Sequence, residues 1–248
     1  MGLTIGVLGA SGGVGASTLT AALAVRAHAV IDGCDASVAV DLDVRGGLDT
    51  TMCLEHLEGL RWPDLELRDW LDGTPSREPA AGDLPGESGL HVLAGTGERL
   101  PDPMLVLETV DALGFSADLL AVDCGPRPDD ALLSRLDLLV VVARLSAKGA
   151  ADAAALSRVC PLARTRTVLV TRGPAGDRSG SASARELGVP LLAHLADDPR
   201  VPRQAAEGLP PGAVRSGVDG VADEALVMAQ STWLHTMIGR LDDPGRSA

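Results

Sequence analysis

The chain holds a single lysine, Lys148, among 248 residues, together with no tyrosine, one phenylalanine and four cysteines. With 29 glycines and alanine throughout, this skew reads as a GC-rich coding bias. Each shortage removes a class. Without tyrosine there is no catalytic phenol for a short-chain dehydrogenase. A formal charge of −13 repels phosphate backbones, and no run of arginines forms a basic stripe, so nucleic-acid binding by this chain alone is not expected. Cys34, Cys53, Cys124 and Cys160 lie far apart, without the paired spacing of a zinc site or a disulfide framework. Reduced, mostly buried thiols in a cytoplasmic protein are the expectation. The apolar start, Met1 to Ala10, lacks a basic leader and a cleavage site, and glycines interrupt it before it could span a bilayer. It reads as a first strand and not as a signal.

What is present is enough apolar material, 46%, to fill the core of one large α/β domain. Short Leu/Val-rich runs alternate with alanine-rich helical stretches, the pattern of a parallel sheet covered by helices on both faces. Strands are predicted at Leu3–Leu8, Ser37–Asp41, Leu90–Ala94, Leu119–Asp123, Leu138–Ala143, Thr167–Thr171 and Leu191–Leu195. The fold class expected is α/β: three layers, with a mostly parallel sheet between helices, in one domain spanning 1–248. The Pro-, Gly- and acid-rich stretch from Gly73 to Gly89 reads as an exposed loop. Apolar residues at helical spacing from Val218 to Leu241 read as a closing helix. The polar, acidic tail after it does not resemble a basic amphipathic membrane anchor.

Several predicted strands end in Asp, Thr or Gly, and ligands of open α/β sheets bind at the carboxyl ends of strands. The first strand runs into Gly9-Ala-Ser-Gly-Gly-Val-Gly-Ala-Ser-Thr18, followed by the Ala/Leu-rich stretch Leu19 to Ala29. Backbone N–H groups of such a loop and the positive end of the next helix make an anion site, which glycines let a phosphate approach closely. Two ligands compete here. Gly9, Gly12 and Gly15 also fit a dinucleotide loop, with Asp41 as the ribose contact. Ser17-Thr18 directly after the loop favours a P-loop, in which that hydroxyl holds Mg²⁺. Asp41-Leu-Asp43-Val-Arg-Gly-Gly and Ala-Val-Asp123-Cys-Gly125 then supply carboxylates and mobile glycines at two further strand ends, in the order of a nucleotide site with two switch loops.

On these motifs the chain resembles the MinD/ParA family, and within it the CpaE/TadZ-like proteins, including the actinobacterial septum-site-determining proteins. The subfamily likeness rests on Gly59-Leu-Arg-Trp-Pro-Asp64, Val170-Thr-Arg-Gly-Pro174 and Leu187-Gly-Val-Pro-Leu-Leu192. The resemblance implies that Gly12, Gly13, Val14, Gly15, Ala16, Ser17 and Thr18 contact the phosphates of ATP or ADP. It implies that Ser17 and Asp123, supported by Asp41, hold Mg²⁺ and that Asp43 positions water. Arg172 and the loop around Asp198 would lie beside the adenine. It further implies a homodimer that switches with nucleotide and recruits protein partners of the division machinery or of a pilus/secretion machine at a pole or septum. The receiver-like domain that often precedes such domains is expected to be absent, since the first strand begins almost at Met1.

The departures bear on the chemistry. The two lysines of the family's loop are Ser11 and Ala16 here. Phosphoryl transfer depends on positioned positive charge, and losing one such contact costs about 10²- to 10³-fold in rate, by analogy with an oxyanion donor. A binder with weak or no hydrolysis is therefore expected. Arg45, Arg127 and Lys148 are the candidate replacement cations. The alternatives are a slow Mg²⁺-dependent ATPase that uses Asp43 and an arginine, and a nonclassical dinucleotide-binding oxidoreductase.

Overall fold

The computed structural model describes residues 2–72, 78–95, 101–160, 165–177 and 179–242. Among them, eight strands form one sheet: β1 (Leu3–Gly9), β2 (Ser37–Asp41), β3 (Gly86–Glu87), β4 (Leu90–Leu93), β5 (Leu119–Asp123), β6 (Leu138–Arg144), β7 (Thr167–Gly173) and β8 (Leu191–Ala196). Their order is β3-β4-β2-β5-β1-β6-β7-β8, and every pairing is parallel except that of β3 with β4. Every run read as a strand is one, the largest extension being that of Thr167–Thr171 to Gly173.

The five central strands, β2, β5, β1, β6 and β7, are buried on both faces, as parallel strands under helices must be, whereas β3, β4 and β8 at the sheet margins are partly exposed. Alternate side chains go to opposite layers. In β6, Leu138, Val140 and Val142 join one core, while Leu139, Val141 and Ala143 join the other. The first core is closed by α1 (Ala16–Val30), α2 (Leu48–Thr51) and α9 (Gly217–Asp242). The second is closed by α3 (Trp62–Asp72), α4 (Pro103–Ser116), α5 (Asp130–Leu133), α6 (Ala147–Val159) and α7 (Gly180–Leu187). A short α8 (Arg200–Ala206) follows β8. Helix α9 lies along α1 through small residues: Ala21, Ala22, Ala222, Ala225 and Ala229 are fully buried. At the rim of that contact, Arg26 donates to both carboxylate oxygens of Asp223 at 2.8 and 3.0 Å.

The segment read as an exposed loop differs. Residues 73–77 lie outside the described residues, but Ala81 and Leu84 are buried, Ala81–Asp83 is a 3₁₀ turn, and β3 pairs antiparallel with β4. A two-residue strand is too short to leave a periodicity in the sequence, and the turn residues of this segment dominate its appearance. Within the described residues, no helix is long and apolar enough to cross a membrane.

Candidate phosphate-binding site

The β1 chain turns after Gly9 and enters α1 through Gly15, whose φ of 100° lies where an L side chain is strained. A Cβ on Gly15 would also stand 2.8 Å from Nη1 of Arg172, so a side chain there would push the guanidinium aside. The first N–H groups of a helix have no intrahelical acceptor. Here no side chain caps them, and the first turn carries no acidic residue to offset the helix dipole. Residues 9–18 instead line a cavity of about 500 Å³. An uncapped helix start over a glycine turn is an anion site.

The opposite walls come from three other strand ends: Asp43 and Arg45 after β2, Asp123, Gly125 and Pro126 after β5, and Arg172 near the end of β7. Asp152, Ala155 and Leu156 of α6 complete the wall. Asp41 and Asp123 are register partners at the ends of adjacent strands. Burial raises the pKa of Asp123 above the usual carboxylate range, opposed by hydrogen bonds from the Ser17 hydroxyl and the Gly125 N–H. Asp43 is moved the other way, chiefly by its bonds to the Arg45 guanidinium. Arg45 Nη2 lies 2.6 Å from Oδ2 of Asp43, and its Nε and backbone N–H both donate to Oδ1. Asp41 is buried, and its pKa is raised to about 6, first by desolvation.

The two acidic segments touch through backbone. Leu42 N–H donates to the Asp123 carbonyl at 2.9 Å, and a Cβ on Gly125 (φ 62°) would stand 2.4 Å from the Leu42 oxygen. Displacement of one segment therefore pushes on the other. Trp62 ties α3 to the same place, its Nε1–H donating to the Asp41 carbonyl at 2.8 Å.

Of the residues singled out by sequence, Gly12, Gly13, Val14, Gly15, Ala16, Ser17, Thr18, Asp43, Asp123 and Arg172 come together in this cavity. Asp41 is not in the wall. Its oxygens accept the N–H groups of Asp43 and Leu48 at 2.9 and 3.0 Å, so it shapes the following loop from behind. Asp198 is not in the wall either; it holds Arg200, Nη2 to Oδ2 at 2.7 Å. Its neighbour Asp197 makes the connection, accepting from Arg172 Nε at 2.8 Å. Among the candidate cations only Arg45 reaches the cavity; Lys148 pairs with Asp152 at 2.6 Å. The α6 residues were not singled out, although α6 starts just beyond β6 on the same carboxyl edge and that rule would have flagged them.

The donor set fits Mg²⁺. The hydroxyl of Ser17 and the carboxylate of Asp123 face each other as hard oxygen ligands, and Mg²⁺ is commonly held by one or two carboxylates with phosphate oxygens and water. Among the described residues no cluster of three or more His, Cys, Asp or Glu could hold a metal alone, so phosphate and water would complete the shell.

The arrangement of strand, glycine turn and helix start is one that phosphate-binding α/β folds share. No family model matches the sequence. The uncharacterized protein Rv3660c of Mycobacterium tuberculosis is 35% identical over 214 residues, which cover 84% of this chain and 58% of that protein. The chain thus spans less than two thirds of the length of the curated relative it matches. In structure it is similar to a ParA family ATPase from Chlorobium tepidum, with a TM-score of 0.69 and 19% identity over 91% of this chain and 98% of that one. It is also similar to the septum site-determining protein MinD from Pyrococcus horikoshii, complexed with Mg-ADP, with a TM-score of 0.66 and 18% identity over 93% and 96%. The fold is that of the MinD/ParA P-loop proteins.

Proposed function

We propose that the chain is a nucleotide-binding localisation factor of the MinD/ParA type, close to the CpaE/TadZ septum-site proteins, which binds ATP or ADP with Mg²⁺ and hydrolyses weakly or not at all. The observation that carries this reading is the uncapped start of α1, which follows a glycine turn, carries Ser17 in its first turn and shares one cavity with Asp123. Backbone N–H groups and the helix dipole hold a phosphate without any lysine. Bound Mg²⁺ would neutralise phosphate charge, while Asp123 and Ser17 orient it. With Ser11 and Ala16 in place of lysines, transition-state charge is poorly countered, so the protein acts as a switch more than as a catalyst. The likeness of its fold to a MinD bound to Mg-ADP supports this reading. In the dimer, nucleotide would favour one arrangement of the Asp43 and Gly125 segments, whose outer surface recruits division or pilus/secretion partners at a pole or septum.

Slow hydrolysis is the second reading, favoured by the ionised Asp43 in the cavity wall. Mg²⁺-dependent turnover that disappears in Asp43→Ala would establish it. A dinucleotide enzyme is disfavoured because Asp41, its ribose contact, is buried outside the wall. Calorimetric titration of ATP, ADP and NAD with Mg²⁺, with light scattering on the same samples, tests the proposal. Binding of ATP with a shift to dimer is expected. Binding of NAD alone, or of nothing at millimolar concentration, would overturn it.

A further inference from the structure

We infer that Arg45 and Arg172 form a two-arginine clamp that replaces the missing lysine charge and grips the polyphosphate of the nucleotide from opposite sides of the loop. The inference rests on the nucleotide-binding reading and adds to it the groups that recognise the ligand.

The loop residues 10–18 that line the cavity carry no charged side chain. The cationic side chains in the wall are Arg45 and Arg172, set against the carboxylates of Asp43, Asp123 and Asp152. Lys148 is engaged with Asp152. A polyanion entering this cavity therefore meets its positive side-chain charge at two guanidinium groups.

Each group is anchored by a carboxylate, half-buried Arg172 through one nitrogen and largely exposed Arg45 through two. Arg172 is fixed through Nε to Asp197 at 2.8 Å, and its terminal nitrogens have no hydrogen bond among the described residues. Arg45 is fixed through Nε and Nη2 to Asp43 at 3.1 and 2.6 Å, and Nη1 has none. In each case Nη1 is the nitrogen nearest the loop: that of Arg172 lies 2.8 Å from the ideal Cβ position of Gly15, and that of Arg45 lies 3.7 Å from that of Gly12. A guanidinium presents five donors in a rigid planar fork, so a carboxylate can hold one edge while another donor remains for a phosphate oxygen. The anchors reduce the rotamer freedom each arginine loses when it binds. The arginines come from different strand ends, after β2 and on β7, and the glycine turn lies between them. This arrangement assigns Arg172 to the phosphates and not to the base.

The test is calorimetric titration of Mg-ATP and of Mg-tripolyphosphate into the full chain, wild type and Arg45→Ala, Arg172→Ala and the double variant. Arg185→Ala, on α7 and outside the cavity wall, serves as control. Circular dichroism and melting verify folding, and Arg45→Lys and Arg172→Lys, which keep the cation but lose the fork, stand in for any alanine variant that fails to fold. Each alanine substitution is expected to weaken Mg-ATP about tenfold or more, as loss of a charge-assisted hydrogen bond does. The lysine variants fall between, the double variant shows no measurable binding, and the control is unchanged. Tripolyphosphate is expected to lose affinity in parallel, because the clamp reads phosphate. Wild-type affinity in the double variant, or a loss confined to Mg-ATP with tripolyphosphate unaffected, would overturn the clamp while leaving the nucleotide site standing. Failure of the wild type to bind either probe would overturn both.

Discussion

Gly15 joins the loop to α1 at a φ of 100°, a conformation that costs an ordinary residue about 1–3 kcal/mol, and the Arg172 guanidinium occupies the space of the missing Cβ. Gly15→Ala is expected to lower stability by that amount and to displace Arg172, so that Mg-ATP affinity falls while the circular dichroism spectrum remains native. Unchanged affinity would show that the turn is not part of the site. A second residue-scale outcome concerns Asp198. Hydrogen bonds from the Arg200 side chain hold its pKa down to about 2. With the folded value below the unfolded one, the pair contributes to stability above the ordinary carboxylate range, and that contribution is lost as pH falls through about 2. Carboxyl NMR should find Asp198 ionised at pH 3 and, in Arg200→Ala, shifted up toward the ordinary range, the backbone N–H of residue 200 still holding it somewhat down. At this scale the sequence discloses which residues meet in the cavity where that follows from local pattern: the loop glycines, Ser17, and Asp123 at a strand end. It does not disclose side-chain pairings. Nothing in a single sequence shows that Asp197 and not Asp198 holds Arg172, or that Arg45 engages Asp43.

Elements follow the same division. The parallel strands are legible because burial on both faces makes them continuous apolar runs bounded by turn residues. The β3–β4 pairing is not legible, because it involves a two-residue strand inside a Pro/Gly/acidic stretch. Helix α3 offers another case. In the sequence its Trp62 stands only as part of the Gly59–Asp64 motif of the subfamily likeness, yet its indole N–H fixes the Asp41 carbonyl at the end of β2, next to the Asp43 segment. Trp62→Phe keeps most of the packing and removes that donor. It is expected to destabilise the fold by about 1–3 kcal/mol, the cost of leaving a buried acceptor without its partner, read as a lower urea midpoint at unchanged slope. An unchanged midpoint would mean that the bond contributes nothing.

For the whole molecule, the excess of carboxylates and the phosphate loop pull in opposite directions. A net charge of −13 opposes a polyanionic ligand, so the proposed binding would rest on local groups: the α1 start, the two arginines and a divalent cation between Ser17 and Asp123. The carboxyl-edge position of this site is legible from strand order and motif order, whereas its charge balance depends on three-dimensional neighbours. The most direct test is hydrogen–deuterium exchange of the full chain with and without Mg-ATP. Slower exchange is expected in residues 9–18, including the N–H groups at the start of α1, and in 43–48 and 123–126. Unaltered exchange across 9–18, with protection appearing elsewhere or nowhere, would contradict the assignment of the loop as the nucleotide site.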